Sequence, residues 1–184
     1  NYINGGMVLT HYFAGYLLSD KFARRPALVE AMRRSVLQQA EEMHREGNRS
    51  GFAYVRLGDW GLSTAQGRYA DYLFHAHRLT GDRKYFDLAA RLADFTLGAN
   101  PAGRSFTTGL GHRPPFNPCS LDSYRPIAHG LGPVPGIVVF GLTQSTGDVL
   151  YERVVRDQMF PTFDLVPLGR RYTDGWSLIM QNEY

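Results

Sequence analysis

Residues 63–98 read STAQGRYADYLFHAHRLTGDRKYFDLAARLADFTLG, and this stretch decides the fold. Apolar side chains recur every three or four residues on both sides of the turn Thr80-Gly81-Asp82, a spacing typical of α-helices. Because the turn is short, the second helix is predicted to run back antiparallel to the first. Ser63 is predicted to cap the first helix and Gly98 to end the second. The two stripes are Ala65, Tyr69, Tyr72, Leu73, Ala76 and Leu79, then Tyr85, Leu88, Ala89, Leu92 and Phe95.

Helical patterns also precede this hairpin. Met7 to Leu18 is predicted to form a buried helix, and the polar and glycine residues that interrupt residues 1–19 argue against a membrane span. A second helix is predicted from Pro26, which suits a first-turn position, to about Gly47. Its apolar stripe is Leu28, Met32, Val36, Ala40 and Met43.

The second half of the chain is less periodic. Residues 99–135 are rich in Pro and Gly and are predicted to form a long, ordered and functional loop. Val134 to Phe140 is predicted to be a strand or a buried extended segment. Helices are predicted at residues 148–158 and from Asp174, as the cap, to Glu183. Antiparallel helices joined by an elaborate loop indicate an all-α toroid or a helical-hairpin array, with the function carried on one face.

The composition excludes several classes of protein. The 184 residues include 20 Lys and Arg against 17 Asp and Glu, and the positive residues are scattered, so no nucleic-acid partner is expected. The single cysteine, Cys119, excludes an internal disulfide and is predicted to be a small buried hydrophobe. The aromatic residues at helical spacing are predicted to pack in the core.

Three stretches carry candidate chemistry. They are residues 97–111, residues 133–136, and residues 172–184. Taken singly, each has an ordinary explanation: Gly109 and Gly111 make only a weak phosphate-loop motif, and a lone Glu183 is most often a surface acid. Trp176 alone would more often be a core residue.

Taken together and in order, these stretches resemble glycoside hydrolase family 9, the inverting cellulases and their relatives. Residues 94–111, DFTLGANPAGRSFTTGLG, are similar to a family segment that begins DYLLG and continues through NP to a Thr-Gly turn. The end of the chain resembles a second signature, in which an aromatic residue, an Asp and a Glu fall at Tyr172, Asp174 and Glu183. Ile179 stands where that signature has a second aromatic residue.

The resemblance implies part of an (α/α)6 barrel with a cleft for a β-linked polysaccharide or oligosaccharide. It implies that Glu183 is the general acid of an inverting reaction on β-1,4-linked glucan, facing a carboxylate base across ~6.5–9.5 Å. The family's base lies in an Asp-Ala-Gly-Asp motif, which these 184 residues do not contain. We therefore expect them to be the C-terminal portion of one catalytic domain, inactive without the N-terminal portion that supplies the base.

The chain departs from the family at one loop. The family has Pro-His-x-Arg after the Thr-Gly turn, but here Cys119 and Leu121 follow Pro118 at the His and Arg positions. Residues nearby or in the second signature are expected to contact sugar instead: His112, Arg113, Arg125, His129, Tyr172, Asp174 and Trp176. Two alternatives remain open, namely an exo-acting β-glucosaminidase-type enzyme on chitosan oligosaccharides and a non-catalytic carbohydrate-binding remnant.

No cofactor or metal site is predicted from the residues. Family members often bind structural calcium, but no ligands are assignable in this sequence. The resemblance implies a secreted or periplasmic protein, although the chain does not open with a signal peptide. No membrane partner is expected.

Overall fold

A computed structural model of the chain describes residues 12–21, 25–55, 62–142 and 160–175. Within these ranges the regular structure is helical, apart from one isolated antiparallel bridge between Thr107 and Val138. The all-α prediction is therefore confirmed for the described residues. The helices are α1 (residues 12–18), α2 (Pro26–Gly47), α3 (Leu62–Thr80), α4 (Arg83–Leu97) and α5 (Leu121–Ala128), with short 3-10 helices at Phe163–Leu165 and Leu168–Arg170.

The α3–α4 hairpin closes through its predicted turn. The Thr80 hydroxyl accepts a hydrogen bond from Asp82 N, and the Asp82 carboxylate caps α4 by accepting from Lys84 N at 3.0 Å. The α4 stripe is buried as predicted, and Gly98 ends the helix. Ser63 was the wrong choice of cap, because α3 has already begun at Leu62.

Helix α2 packs across this hairpin. Pro26 occupies its first turn and Gly47 ends it, as predicted, but Leu28 is 41% exposed, so only the C-terminal half of the stripe is buried. Gly47 touches α4 closely enough that an added Cβ would lie 2.7 Å from Leu88 Cδ1. The resulting core consists of Ala40, Met43, Ala53, Val55, Tyr69, Ala70, Tyr72, Leu73, Ala76, Tyr85, Leu88, Ala89 and Leu92.

A polar contact at the rim of this core joins α2 to α4. The Glu41 carboxylate accepts hydrogen bonds from Lys84 Nζ and, at 2.6 Å, from the Tyr85 hydroxyl. These two donors hold the pKa of Glu41 below its usual value, while burial and the Glu41 contact raise the pKa of Tyr85 to about 12. The contact fixes the lateral position of α2 on the hairpin.

A second, smaller core lies beyond the end of α4. Phe95, Phe106, Val139 and Leu142 are fully buried there. The 99–135 segment is ordered as predicted, but it is not all loop, since it contains α5. The sequence pattern did not indicate this helix, because Pro126 lies inside it and its one buried residue is the polar Ser123.

The other predicted elements are described only in part. In α1, Ala14 and Leu17 are buried as expected, while residues 7–11 lie outside the described ranges. The segment 134–140, predicted to be a strand or a buried extended piece, is extended only in its last part. Pro135 and Gly136 form a turn, with Gly136 at a φ of 91°, while Val138 makes the single bridge and Val139 is buried. The helix predicted at 148–158 and the residues after 175 lie outside the described ranges.

Among the described glycines, Gly111 has the least space for a side chain. Its φ is 72°, and an added Cβ would lie 2.5 Å from the Leu97 carbonyl oxygen and 2.9 Å from Ser105 Cβ. We predict that Gly111→Ala lowers the free energy of unfolding by several kcal/mol, because a steric clash adds about 1–3 kcal/mol to the conformational penalty. Denaturant unfolding of the full-length protein measures the loss.

Gly103→Ala is the matched control. Gly103 has a φ of 58°, but nothing lies within 4 Å of its added Cβ, so only the conformational penalty of about 1–2 kcal/mol applies. Equal losses in the two variants would contradict the close approach at Gly111.

Candidate active site

Asp174 ties together segments that are distant in the sequence. Its Oδ2 accepts a hydrogen bond from Phe116 N at 2.8 Å, and its Oδ1 accepts one from Asn117 N at 3.0 Å. The guanidinium Nη2 of Arg104 lies 3.6 Å from Oδ2. This carboxylate therefore joins the loop that precedes α5 to the 97–111 stretch and to the end of the described chain.

Tyr172 reinforces the same junction. The Arg104 guanidinium lies over the Tyr172 ring, 4.1 Å from its centroid. On the core side, the Tyr172 ring is 5.4 Å from the ring of the fully buried Phe106. The cation–π contact of Tyr172 and the ion pair of Asp174 thus place both residues of the second signature against Arg104.

The 133–136 stretch is bound to the Thr-Gly turn. Thr108 N donates to the Ile137 carbonyl at 2.9 Å, and the Thr108 hydroxyl donates to the Val134 carbonyl at 2.6 Å. Val139 N donates to the Phe106 carbonyl at 2.9 Å. The Ser123 hydroxyl of α5 accepts from Val134 N, so α5 is attached to the same assembly. The described parts of the three stretches that carry the family resemblance therefore meet at one place.

Asn100 shapes the turn that presents Arg104. Its Nδ2 donates to the carbonyls of Phe95 (2.6 Å) and Arg104 (2.8 Å), and its Oδ1 accepts from Ala102 N at 3.1 Å. The residue is 3% exposed, so these bonds replace the water it has lost. Residues 98–101 do end α4, but this turn also positions a site residue.

The remaining candidates lie on the surface around this junction. His112 and Arg113 follow the Thr-Gly turn, whereas Arg125 lies in the last turn of α5 and His129 follows that helix, and all four are exposed. Among the described residues, no hydrogen bond or ion pair connects His112 or Arg113 to Arg125 or His129. Trp176 and Glu183 lie outside the described ranges.

The two departures from the family loop are also accessible. Cys119 is partly exposed rather than buried as predicted, because it lies in the loop just before α5 and not in a core. Leu121, the first residue of α5, is 90% exposed. An apolar side chain is thus presented to solvent where the family has Arg.

Arg104 is the site residue that sequence reasoning missed. The sequence signal for it was its position inside the Asn-Pro-x-Gly-Arg-Ser run, where a side chain projects from a tight turn.

Among the described residues no group of three His, Cys, Asp or Glu side chains is arranged to hold a metal ion. No helix within the described ranges is long and apolar enough to cross a bilayer.

Comparison with known proteins identifies the family. The sequence profile described as glycosyl hydrolase family 9 matches residues 7–184, so the chain belongs to that family. "Endoglucanase D" of Acetivibrio thermocellus is 32% identical over 130 residues, which are 68% of this chain and 20% of that protein. The chain therefore spans about a fifth of the length of this curated relative.

Solved structures agree on the fold. The crystal structure of family 9 endoglucanase J30 aligns with a TM-score of 0.75 at 26% identity, covering 92% of this chain and 30% of that one. A thermostable endoglucanase from Alicyclobacillus acidocaldarius, solved as a single mutant, aligns with a TM-score of 0.75 at 24% identity, covering 92% of this chain and 31% of that one. The helices described here are part of the (α/α)6 barrel, as the resemblance implied.

We predict that Asp174→Asn destabilises the junction. An amide cannot accept from both backbone N–H groups, because its NH₂ would face one of them, and it loses the charge opposite Arg104. The expected loss in the free energy of unfolding is about 2–3 kcal/mol. Urea unfolding of the full-length protein measures the loss.

Asp164→Asn serves as the control, since Asp164 is exposed on the first 3-10 helix. The control is expected to match the wild type within about 0.5 kcal/mol. An Asp174→Asn protein as stable as the control would show that this carboxylate does not hold the loop.

Proposed function

We propose that the chain is part of a cellulase-type glycoside hydrolase that cleaves β-1,4-linked glucan with inversion. Membership of the family and the endoglucanase names of its relatives support this reaction class. The observation that carries the proposal is the fixed position of Asp174, because Glu183 follows it at the spacing of the family signature.

In this proposal Glu183 is the general acid. Its protonated carboxyl donates to the glycosidic oxygen as the leaving group departs, while a carboxylate on the opposite face activates water. That base, like the rest of the catalytic domain, would come from sequence outside these 184 residues. Asp174 anchors the main chain that leads to Glu183 and thereby limits the positions the acid can reach.

The surrounding side chains would form the sugar subsites. Aromatic faces suit the apolar faces of pyranose rings, which gives Tyr172 and Trp176 a stacking role. His112, Arg113, Arg125 and His129 would supply hydrogen bonds along the glucan chain. The family assignment also supports a secreted or periplasmic location for a polysaccharide-degrading enzyme.

We predict that Glu183→Gln in the full-length protein lowers kcat on cellulose oligosaccharides by ~10²–10⁴-fold, because the amide cannot protonate the leaving group. On an aryl glycoside whose leaving group is already a weak base, the loss is expected to be much smaller. Cellotetraose hydrolysis and release of a dinitrophenolate measure the two cases.

Glu42→Gln is the control, because Glu42 is exposed on α2. Equal losses on both substrates, or wild-type turnover of the oligosaccharide, would contradict the assignment of Glu183 as acid. A wild-type protein that binds cellulose without cleaving it would instead favour the non-catalytic carbohydrate-binding alternative.

The altered loop supports a second candidate, an exo-acting enzyme on chitosan oligosaccharides. Cys119 and the 90% exposed Leu121 present no charge where the family has His and Arg. A subsite with fewer cations would tolerate the positively charged amino groups of glucosamine better than a subsite with His and Arg.

We predict that Cys119→His with Leu121→Arg shifts the ratio of kcat/KM values for cellotetraose and chitotetraose towards cellotetraose by roughly tenfold, about the effect of one charged hydrogen bond. Since Leu121 is already exposed, the double change is expected to leave stability unaffected. Leu131→Arg, at another highly exposed leucine, is the control. An unchanged ratio would show that these two positions do not set specificity.

A further inference from the structure

Three arginines surround one cavity beside the junction described above. The cavity has a volume of about 370 Å³ and is lined by Asn100, Pro101, Ala102, Gly103, Arg104, Arg113, Arg170 and Tyr172. This volume falls within the ~300–1,000 Å³ of typical small-molecule sites. We call it the arginine pocket.

The charge of the arginine pocket is unbalanced. Its lining contains three guanidinium groups and no carboxylate. Among the described residues, Arg104 has Asp174 as its ion-pair partner, and neither Arg113 nor Arg170 has any. Arg104 Nε is also buried without an acceptor in that part of the chain. Concentrated positive charge in a partly enclosed space attracts an anion, because a bound anion relieves the mutual repulsion.

The pocket walls are held in place by contacts of the chain itself. Asn100 fixes the turn on one side through its three hydrogen bonds. On the other side Gly169 lies so close to Pro101 that an added Cβ would be 2.8 Å from the proline ring, which places Arg170 against the turn. Stacking on Tyr172 orients Arg104. Arg104 is therefore preorganised, which lowers the entropy lost on binding, whereas the side chains of Arg113 and Arg170 are exposed.

We propose that the arginine pocket binds an oxyanion, either the carboxylate of an acidic sugar or a free anion. Guanidinium groups pair with carboxylate and sulfate oxygens through two parallel hydrogen bonds, a geometry that an ammonium group does not offer. The Tyr172 ring on the same wall would contact the apolar face of a sugar that carries the anion. The substitutions Arg113→Gln and Arg170→Gln each remove one of these positive charges while keeping a polar side chain, and they therefore test the proposal.

The test is a titration of the full-length protein by calorimetry with sodium glucuronate, sodium sulfate and neutral glucose. It compares the wild type with Arg113→Gln, Arg170→Gln and the double variant, at constant ionic strength. Arg49→Gln is the control, since Arg49 is an exposed arginine after α2. Arg104 is left unchanged because it also supports Asp174 and Tyr172.

We expect both anions to bind the wild type and the control, and Kd to rise roughly tenfold in each single variant and further in the double variant. Tighter binding of glucuronate than of sulfate would support an acidic sugar, and equal binding would support a free anion. Absence of anion binding, anion binding that the double variant retains, or an equal weakening of anion and glucose binding in the double variant would overturn the proposal. Because the measurement needs no turnover, its result is independent of the proposed hydrolase activity.

Discussion

The described part of the site depends on one carboxylate. Asp174 accepts hydrogen bonds from two consecutive backbone N–H groups and faces a guanidinium, so an anion satisfies donors from two separate segments at once. Charge-assisted bonds of this kind are stronger than neutral ones. Without the charge, Phe116 N and Asn117 N would need new acceptors, and Arg104 would keep only its ring contact with Tyr172. The loop before α5 and the last described residues of the chain are joined through this carboxylate, and the Tyr172 ring adds a second contact.

The sequence pattern anticipated the helical half of the molecule well. The α4 stripe from Tyr85 to Phe95 is buried as predicted, because a spacing of three and four residues makes one face of the helix apolar. That face packs against the neighbouring helices, so local pattern and tertiary packing agree. The helix bounds of α2 followed from Pro26 and Gly47 for the same kind of local reason. Leu28 differs because the N-terminal end of this long helix extends past the hairpin, which covers its C-terminal half.

The site could be predicted in part only. The motifs singled out three stretches, and in the described residues Tyr172 and Asp174 contact the first of them. Arg104 and Asn100 were not singled out, since their importance comes from hydrogen bonds across turns, which have no period in sequence. Helix α5 was missed because Pro126 interrupts its pattern, and the partial exposure of Cys119 depends on how that helix begins. These features arise from long-range contacts that no local pattern records.

The division into two cores has a consequence for motion. The larger core joins α2, α3 and α4 through contacts that mostly link neighbouring helices, whereas the smaller one around Phe106 unites residues as distant as Phe95 and Tyr172. Segments held by a few long-range contacts open at lower free energy than a continuous helical core. Phe95, at the end of α4, belongs to the smaller core while the rest of that helix belongs to the larger one. Opening of the segments around the smaller core would therefore leave the hairpin intact, and amide hydrogens at 105–108 would exchange with solvent sooner than those along α4.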